Sequence, residues 1–270
     1  MTDSVDREAE ELITPEEVVP FQVDRDEAVT ALRTWVTSRR FIPARLRKIQ
    51  EIGALTKTFF PHWAFTLDAV ATYRGERGEH YWALERHQTR ANNRTRTELR
   101  RVLKTRWRPA SGAMRRRFDD VLVPATTQFT LLQMERLAPW PLTRAVPWQP
   151  DRLVGCHTPR YDIAPEERLG AVKIRLGKTL RQSCYGEIGG DTQRLHSVDI
   201  RYSNVTHRLV LLPVWVAHYG YAGKSWQALI NGVTGEVIGK RPYSLFKIAL
   251  AVVAALLLGS AIVAGISLIS

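Results

Sequence analysis

The last part of the chain holds the feature that most limits its fold. The 22 residues 248–269 carry no charged side chain. At 1.5 Å per residue, a helix of this length spans roughly 33 Å, whereas the hydrocarbon core of a bilayer is about 30 Å thick. Buried helices of globular proteins seldom run this far without a charge. The pattern therefore predicts a transmembrane helix at 248–269, within a membrane anchor formed by residues 247–270.

The residues that flank this segment predict its orientation. Lys240, Arg241 and Lys247 precede the span, and only Ser270 follows it. Positively charged flanks favour the cytoplasmic side of a membrane. We therefore expect a tail-anchored, single-pass protein of the inner or plasma membrane, with its N-terminal part in the cytoplasm and the lipid bilayer as a partner.

Charge is distributed unevenly in a chain whose net charge is +12. Residues 1–28 hold ten acidic and two basic side chains, whereas residues 86–117 hold twelve basic side chains and one acidic one. Three interpretations of the basic block stay open: contact with anionic lipid, contact with nucleic-acid phosphates, or solvated strands that bind nothing. Its candidate anion-binding residues are Arg86, Arg90, Arg94, Arg96, Arg100, Arg101, Lys104, Arg106, Arg108, Arg115, Arg116 and Arg117.

Motifs for catalysis are missing from the sequence. Residues 177–179 and 223–225 resemble the end of a phosphate-binding loop, which needs a glycine five positions before its second glycine. Those positions hold Val172 and His218. The two cysteines are too few for a four-thiolate zinc site, and the seven histidines form no pair with helical ligand spacing. We therefore predict no catalytic residue, no metal site and no cofactor.

Local patterns predict helices that alternate with strands. Asp24 or Asp26 can cap a helix, and Pro165 is typical of the first turn of another. A strand over 60–73 should reach a glycine-containing turn at 74–78, and residues 231–235 predict a hairpin turn. Helices that alternate with antiparallel strands in this way are typical of the α+β fold class.

Two short motifs suggest that the chain contains two related halves. Phe60-Pro61-His62-Trp63 and Leu212-Pro213-Val214-Trp215 each lead into a strand that ends at an aromatic residue and a glycine turn. The predicted fold class is therefore α+β, with two similar units of a helix packed on an antiparallel sheet and one C-terminal transmembrane helix. The predicted segments are an acidic flexible arm (1–17), a first unit with the basic hairpin region (18–138), a proline-rich connector (139–165), a second unit (166–246) and the anchor (247–270).

An ordered series of motifs resembles a group of bacterial proteins. The motifs are Val19-Pro20-Phe21, Arg39-Arg40-Phe41-Ile42-Pro43, Phe60-Pro61-His62-Trp63, Trp107-Arg108-Pro109, Phe118-Asp119-Asp120-Val121-Leu122-Val123-Pro124, Leu211-Leu212-Pro213-Val214-Trp215 and Asn231-Gly232-Val233-Thr234-Gly235. The group is the zinc-ribbon-containing membrane proteins, often labelled primosomal or helicase-like. The resemblance implies a membrane location, without the family's four-cysteine ribbon, because no cysteine precedes Cys156.

The function predicted from the sequence is that of a membrane scaffold or adaptor without catalysis of its own. It would face the cytoplasm and bind a protein partner or anionic lipid. The alternative is a membrane-tethered nucleic-acid-binding module that uses the 86–117 block. Ala261 and Gly265 permit close pairing of two spans, so a homo-oligomer also stays open.

Overall fold

A computed structural model of the chain describes residues 13–38, 54–91, 94–128, 130–221 and 224–240. These residues form three α-helices: α1 (Arg25–Thr37), α2 (Leu131–Leu137) and α3 (Pro165–Ile188). They form seven strands: β1 (Glu17–Val18), β2 (Leu55–Ala91), β3 (Arg94–Pro124), β4 (Val146–Pro147), β5 (Thr192–Tyr221), β6 (Lys224–Asn231) and β7 (Val237–Gly239). Three strands have at least 30 residues, so extended structure dominates the described chain.

The strands follow the order β3-β2-β5-β1-β4, and β6 pairs with β5 and with β7. The short strand β1 runs parallel to β5 but antiparallel to β4. Strand β6 is antiparallel to both of its neighbours. Only two residues separate β2 from β3, so these strands form an antiparallel hairpin. The pairing is therefore mixed.

Contacts divide the chain into two compact units, each built from separate stretches of sequence. The first unit comprises the described residues up to Trp63, Val123–Ile163 and the described residues from Arg208 onward. The second comprises Ala64–Leu122 and Ala164–His207. Strands β2, β3 and β5 contribute residues to both units, so each unit takes its sheet from distant parts of the chain.

Helix α1 covers one apolar face of the first unit. Its N-terminus carries a capping box: Asp24 Oδ1 accepts from Glu27 N–H at 2.8 Å, and Glu27 Oε2 accepts from Asp24 N–H at 2.9 Å. The apolar stripe Ala28, Leu32 and Val36 is buried at helical spacing. This stripe joins a core cluster with Trp215, Ala217, Tyr219, Ala228, Ile230 and Val237.

Helix α3 has the corresponding place in the second unit. Pro165 stands at its first turn with Glu166 and Glu167, where a missing N–H costs little and negative charge is favourable. Its buried residues Leu180, Cys184 and Ile188 contact buried residues of β2, which are Ala69, Ala71 and Tyr73. In the core of this unit, the buried face of α3 thus packs against the small and aromatic residues of β2.

Strand β2 runs without interruption through 74–78, where the sequence predicted a turn. A Cβ on Gly75 would collide with the carbonyl oxygen of Arg194 on β5 and lie 2.8 Å from Ile188 Cδ1. A Cβ on Gly78 would lie 2.5 Å from Thr192 Cγ2. The turn prediction was wrong. Both glycines lie inside a strand, where the lack of a side chain lets neighbouring elements approach closely.

The predicted fold class was also wrong. The described chain is mostly mixed β-sheet, and its units are not two successive copies of one α+β motif. Both of the Pro-x-Trp motifs lie inside long strands of the first unit, where Phe60 and Val214 belong to the same core cluster. A matched pair of motifs therefore marks two strands that share one core.

The membrane predictions need correction as well. Within the described ranges, no helix combines the length and the apolarity that a membrane crossing requires. The segment 248–269, on which the transmembrane helix, the tail anchor and the inner-membrane location depended, lies outside the described residues, as do Arg241 and Lys247. The described residues therefore give no support to the predicted transmembrane helix, tail anchor and inner-membrane location. Most of the predicted acidic arm also lies outside the described residues.

Two glycines of the second unit provide a matched test of this packing. Gly75→Ala should lower the free energy of unfolding by about 2 kcal/mol or more, because the strand must shift to admit the methyl group. Gly170 lies in α3 with open space around it, so Gly170→Ala should raise that free energy by about 0.5–1 kcal/mol. Urea titration of both variants measures the two changes, and equal effects would contradict the packing at Gly75.

A buried histidine lies in the first unit. His62 Nδ1 lies 3.0 Å from the carbonyl oxygen of Phe60, and its Nε2 is buried without a partner in the described part of the chain. Burial lowers the pKa of His62 to about 4, against the raising effect of the hydrogen bond to Phe60. Since the unfolded chain binds this proton more readily below pH 6.5, stability is lost as the pH falls from about 6.5 towards 4.

The expected pH effect is large enough to measure. Between pH 7 and pH 5, His62 should account for about 2 kcal/mol of lost stability, which His62→Asn should abolish. The check is urea titration at both pH values. An exposed histidine of β5, in the variant His218→Gln, provides the control and should leave the loss unchanged. An undiminished loss in His62→Asn would assign the pH effect to other groups.

Candidate binding surface on the hairpin arm

The turn end of the β2–β3 hairpin extends beyond the first residue of β5. Asp191, which precedes β5, donates its N–H to the carbonyl oxygen of Gly78 at 2.9 Å. Its Oδ2 accepts the N–H of His80 at 2.7 Å. The neighbours of β2 in the strand order are β3 and β5, so β2 has only β3 beside it after this point. We call residues 81–91 with 94–106 the hairpin arm.

A cross-strand contact sets the register of the arm. His80 Nδ1 lies 3.0 Å from Thr105 Oγ1, which places these residues opposite each other. Because side chains alternate along a strand, Trp82 then lies opposite Leu103, and Leu84 lies opposite Arg101. Arg86 lies opposite Leu99 on the same side. These six side chains form one face of the arm, which we call the Trp82 face.

The Trp82 face exposes an unusual amount of apolar surface. Trp82 is 61% exposed, Leu84 67%, Leu99 64% and Leu103 50%. The guanidinium carbon of Arg101 lies 5.5 Å from the centre of the Trp82 ring, within cation–π range. Exposed apolar side chains are ordinary when scattered, but four on one side of a two-stranded ribbon form a contiguous apolar patch of the kind found at binding sites.

The opposite side of the arm, the Tyr81 face, is more polar. It carries Tyr81, Glu85, Arg100, Lys104 and Arg106. Arg106 lies 5.1 Å from the centre of the Tyr81 ring. Lys104 forms an ion pair with Glu85, whose hydrogen bond and negative charge raise the pKa of Lys104. One of the predicted cations on this face therefore already has a carboxylate partner.

The other residues of the predicted basic block are spread along β2 and β3. Arg90 lies in β2, and Arg94 and Arg96 lie in β3, but their side chains are outside the described part. Arg108 is exposed on β3, next to the arm. The structure thus brings Arg86, Arg100, Arg101, Lys104 and Arg106 together on the arm.

The remaining arginines of the block lie about ten residues further along β3. Arg115, Arg116 and Arg117 are exposed there. Arg116 donates to Ser183 Oγ at 3.3 Å, and its guanidinium carbon lies 5.3 Å from the Phe118 ring centre. Arg117 pairs with Asp119 at 2.9 Å, which raises the pKa of Arg117. The twelve basic residues therefore do not form one surface. Arg115, Arg116 and Arg117 lie further along β3, outside the hairpin arm.

Of the three predicted membrane-flanking residues, the structure describes only Lys240. Lys240 is exposed just after β7, in the first unit, and Arg241 and Lys247 lie outside the described residues. Among the described residues, no group of three or more His, Cys, Asp or Glu side chains is arranged to hold a metal ion. The predicted absence of a metal site stays a prediction.

Sequence reasoning missed the apolar half of the candidate surface. It did not single out Trp82, which is exposed, whereas Trp63 and Trp215 are buried. A signal was present, since Leu99 and Leu103 alternate with Arg101 inside the basic block. Period-two alternation in two adjacent strands predicts a shared face only when the pairing register is known.

The chain is similar to a bacterial protein whose name states no function. The chain is 25% identical over 238 residues to the uncharacterized protein YdjG of Bacillus subtilis strain 168, covering 88% of this chain and 66% of YdjG. It thus spans just under two thirds of that relative's length. No protein-family model matches the chain, and no solved structure matches it. The resemblance to zinc-ribbon membrane proteins stays a prediction.

Proposed function

We propose that this protein is an adaptor without catalytic activity that binds an acidic, apolar segment of a partner protein through the Trp82 face. The observation that carries the proposal is the exposure of Trp82, Leu84, Leu99 and Leu103 beside Arg86 and Arg101. Aromatic residues and arginine are the side chains most enriched in the energetic centres of protein interfaces.

The composition of the face suggests the chemistry of the partner. Leucine and tryptophan side chains gain free energy when an apolar surface covers them, at about 25 cal/mol per Å². The arginines of the face are best matched by carboxylates, which can accept two hydrogen bonds from one guanidinium. A segment with alternating acidic and apolar residues would satisfy both requirements.

Nucleic acid is a second candidate, and the Tyr81 face favours it. The pair of Tyr81 and Arg106 offers a ring for base stacking and a cation for phosphate, with Arg100 on the same face. Lysine and arginine contacts to phosphates would make such binding steeply salt-dependent. Leucines contribute little to phosphate contact, so the two candidates depend on different faces of the arm.

The test is a titration of the full chain with two labelled probes. One is a peptide of alternating glutamate and leucine, and the other is a single-stranded oligothymidine. We expect the peptide to bind saturably, and the double variant Trp82→Ala, Leu84→Ala to weaken that binding at least tenfold through loss of apolar contact. Arg86→Glu with Arg101→Glu should weaken binding and reduce its dependence on salt.

Helix α3 supplies the matched controls. Ile174 is also an exposed apolar residue and Arg181 an exposed cation, both in the second unit, so Ile174→Ala and Arg181→Glu should leave peptide binding unchanged. Tight binding of the oligothymidine that depends on Tyr81 and Arg106, with no saturable peptide binding, would replace the adaptor proposal by the nucleic-acid one. Binding of neither probe would reject both.

A further inference from the structure

A second candidate site lies in the first unit, apart from the hairpin arm. A cavity of about 530 Å³ opens between helix α2 and strands β6 and β7. Its volume falls in the range of pockets that hold small organic molecules. Its polar and apolar lining includes Gln133, Arg136, Trp226, Gln227, Leu229 and Lys240.

The charges around this cavity have one sign. Arg136 comes from the last turn of α2, and Lys240 follows β7. Among the described residues that line the cavity, none carries a carboxylate. Two cations that share a concave surface without an acid between them favour an anionic group.

The neutral part of the lining supplies donors and an apolar wall. The side-chain amides of Gln133 and Gln227 can donate hydrogen bonds. Trp226 lines the cavity from β6, but its side chain packs against the core cluster under α1. Leu229 and Ile238 add apolar surface.

From this arrangement we infer that the cavity is a binding site for a small organic anion, with a carboxylate or phosphate group on an apolar ring or chain. Arg136 and Lys240 hold the anionic group. Leu229 and Ile238 contact the apolar body. The inference does not depend on the proposed function, because the cavity and the hairpin arm lie in different units.

The test uses the full chain and three small probes of similar size: phenyl phosphate, benzoate and the neutral benzamide. NMR spectra of the ¹⁵N-labelled protein report on the side-chain amide of Gln227, which Gln227→Leu assigns. We expect saturable shifts of this signal with phenyl phosphate or benzoate, and at least tenfold weaker binding of benzamide. A response to only one anion would distinguish a phosphate site from a carboxylate site.

Two variants test the roles of the cations. Arg136→Gln with Lys240→Gln should weaken anion binding about tenfold or more, because the amides keep polarity but remove both charges. Arg152→Gln removes an exposed cation elsewhere in the first unit and should leave binding unchanged. Equal affinity for benzamide, an unchanged affinity in the double variant, or no saturable shift with any probe would overturn the inference.

Discussion

The candidate surface on the arm depends on a close approach between two backbones. Gly75 leaves no room for a side chain beneath the carbonyl of Arg194, and Gly78 is similarly enclosed by Thr192. With glycine at both positions, β2 stays extended and paired with β5 through a stretch whose composition otherwise predicts a turn. The strand then continues past the start of β5 with only β3 beside it. Because β2 continues in this way, the hairpin arm has two exposed faces.

Local signals in the sequence were most informative where a single segment determines its own structure. The helix cap at Asp24 or Asp26, the proline at the start of α3 and the turn after Asn231 were predicted from neighbouring residues alone. In that turn, Asn231 Oδ1 accepts the N–H of Val233 at 2.8 Å, and Gly235 has a positive φ of 75°. Such contacts reach only a few residues, so no knowledge of the fold is needed to predict them.

Non-local pairing limited the rest of the sequence analysis. A glycine that permits a turn and a glycine that permits close packing look the same in sequence, as Gly75 illustrates. The basic block was visible, but the register that places Leu84 opposite Arg101 was not. The cavity under α2 combines residues of three elements separated by about ninety positions of chain, and no spacing rule connects Arg136 with Trp226.

The two candidate sites differ in how their residues are held, and that difference affects what each can recognise. The cavity residues Trp226, Leu229 and Ile238 belong to strands that pair with each other, and β6 also pairs with β5. Because strand pairing fixes the shape of the cavity wall, the cavity suits a small ligand. The arm is a two-stranded ribbon, a structure that is marginally stable without a covering partner. Its exposed leucines and tryptophan would be buried only when a larger surface covers them, which argues for a macromolecular partner there.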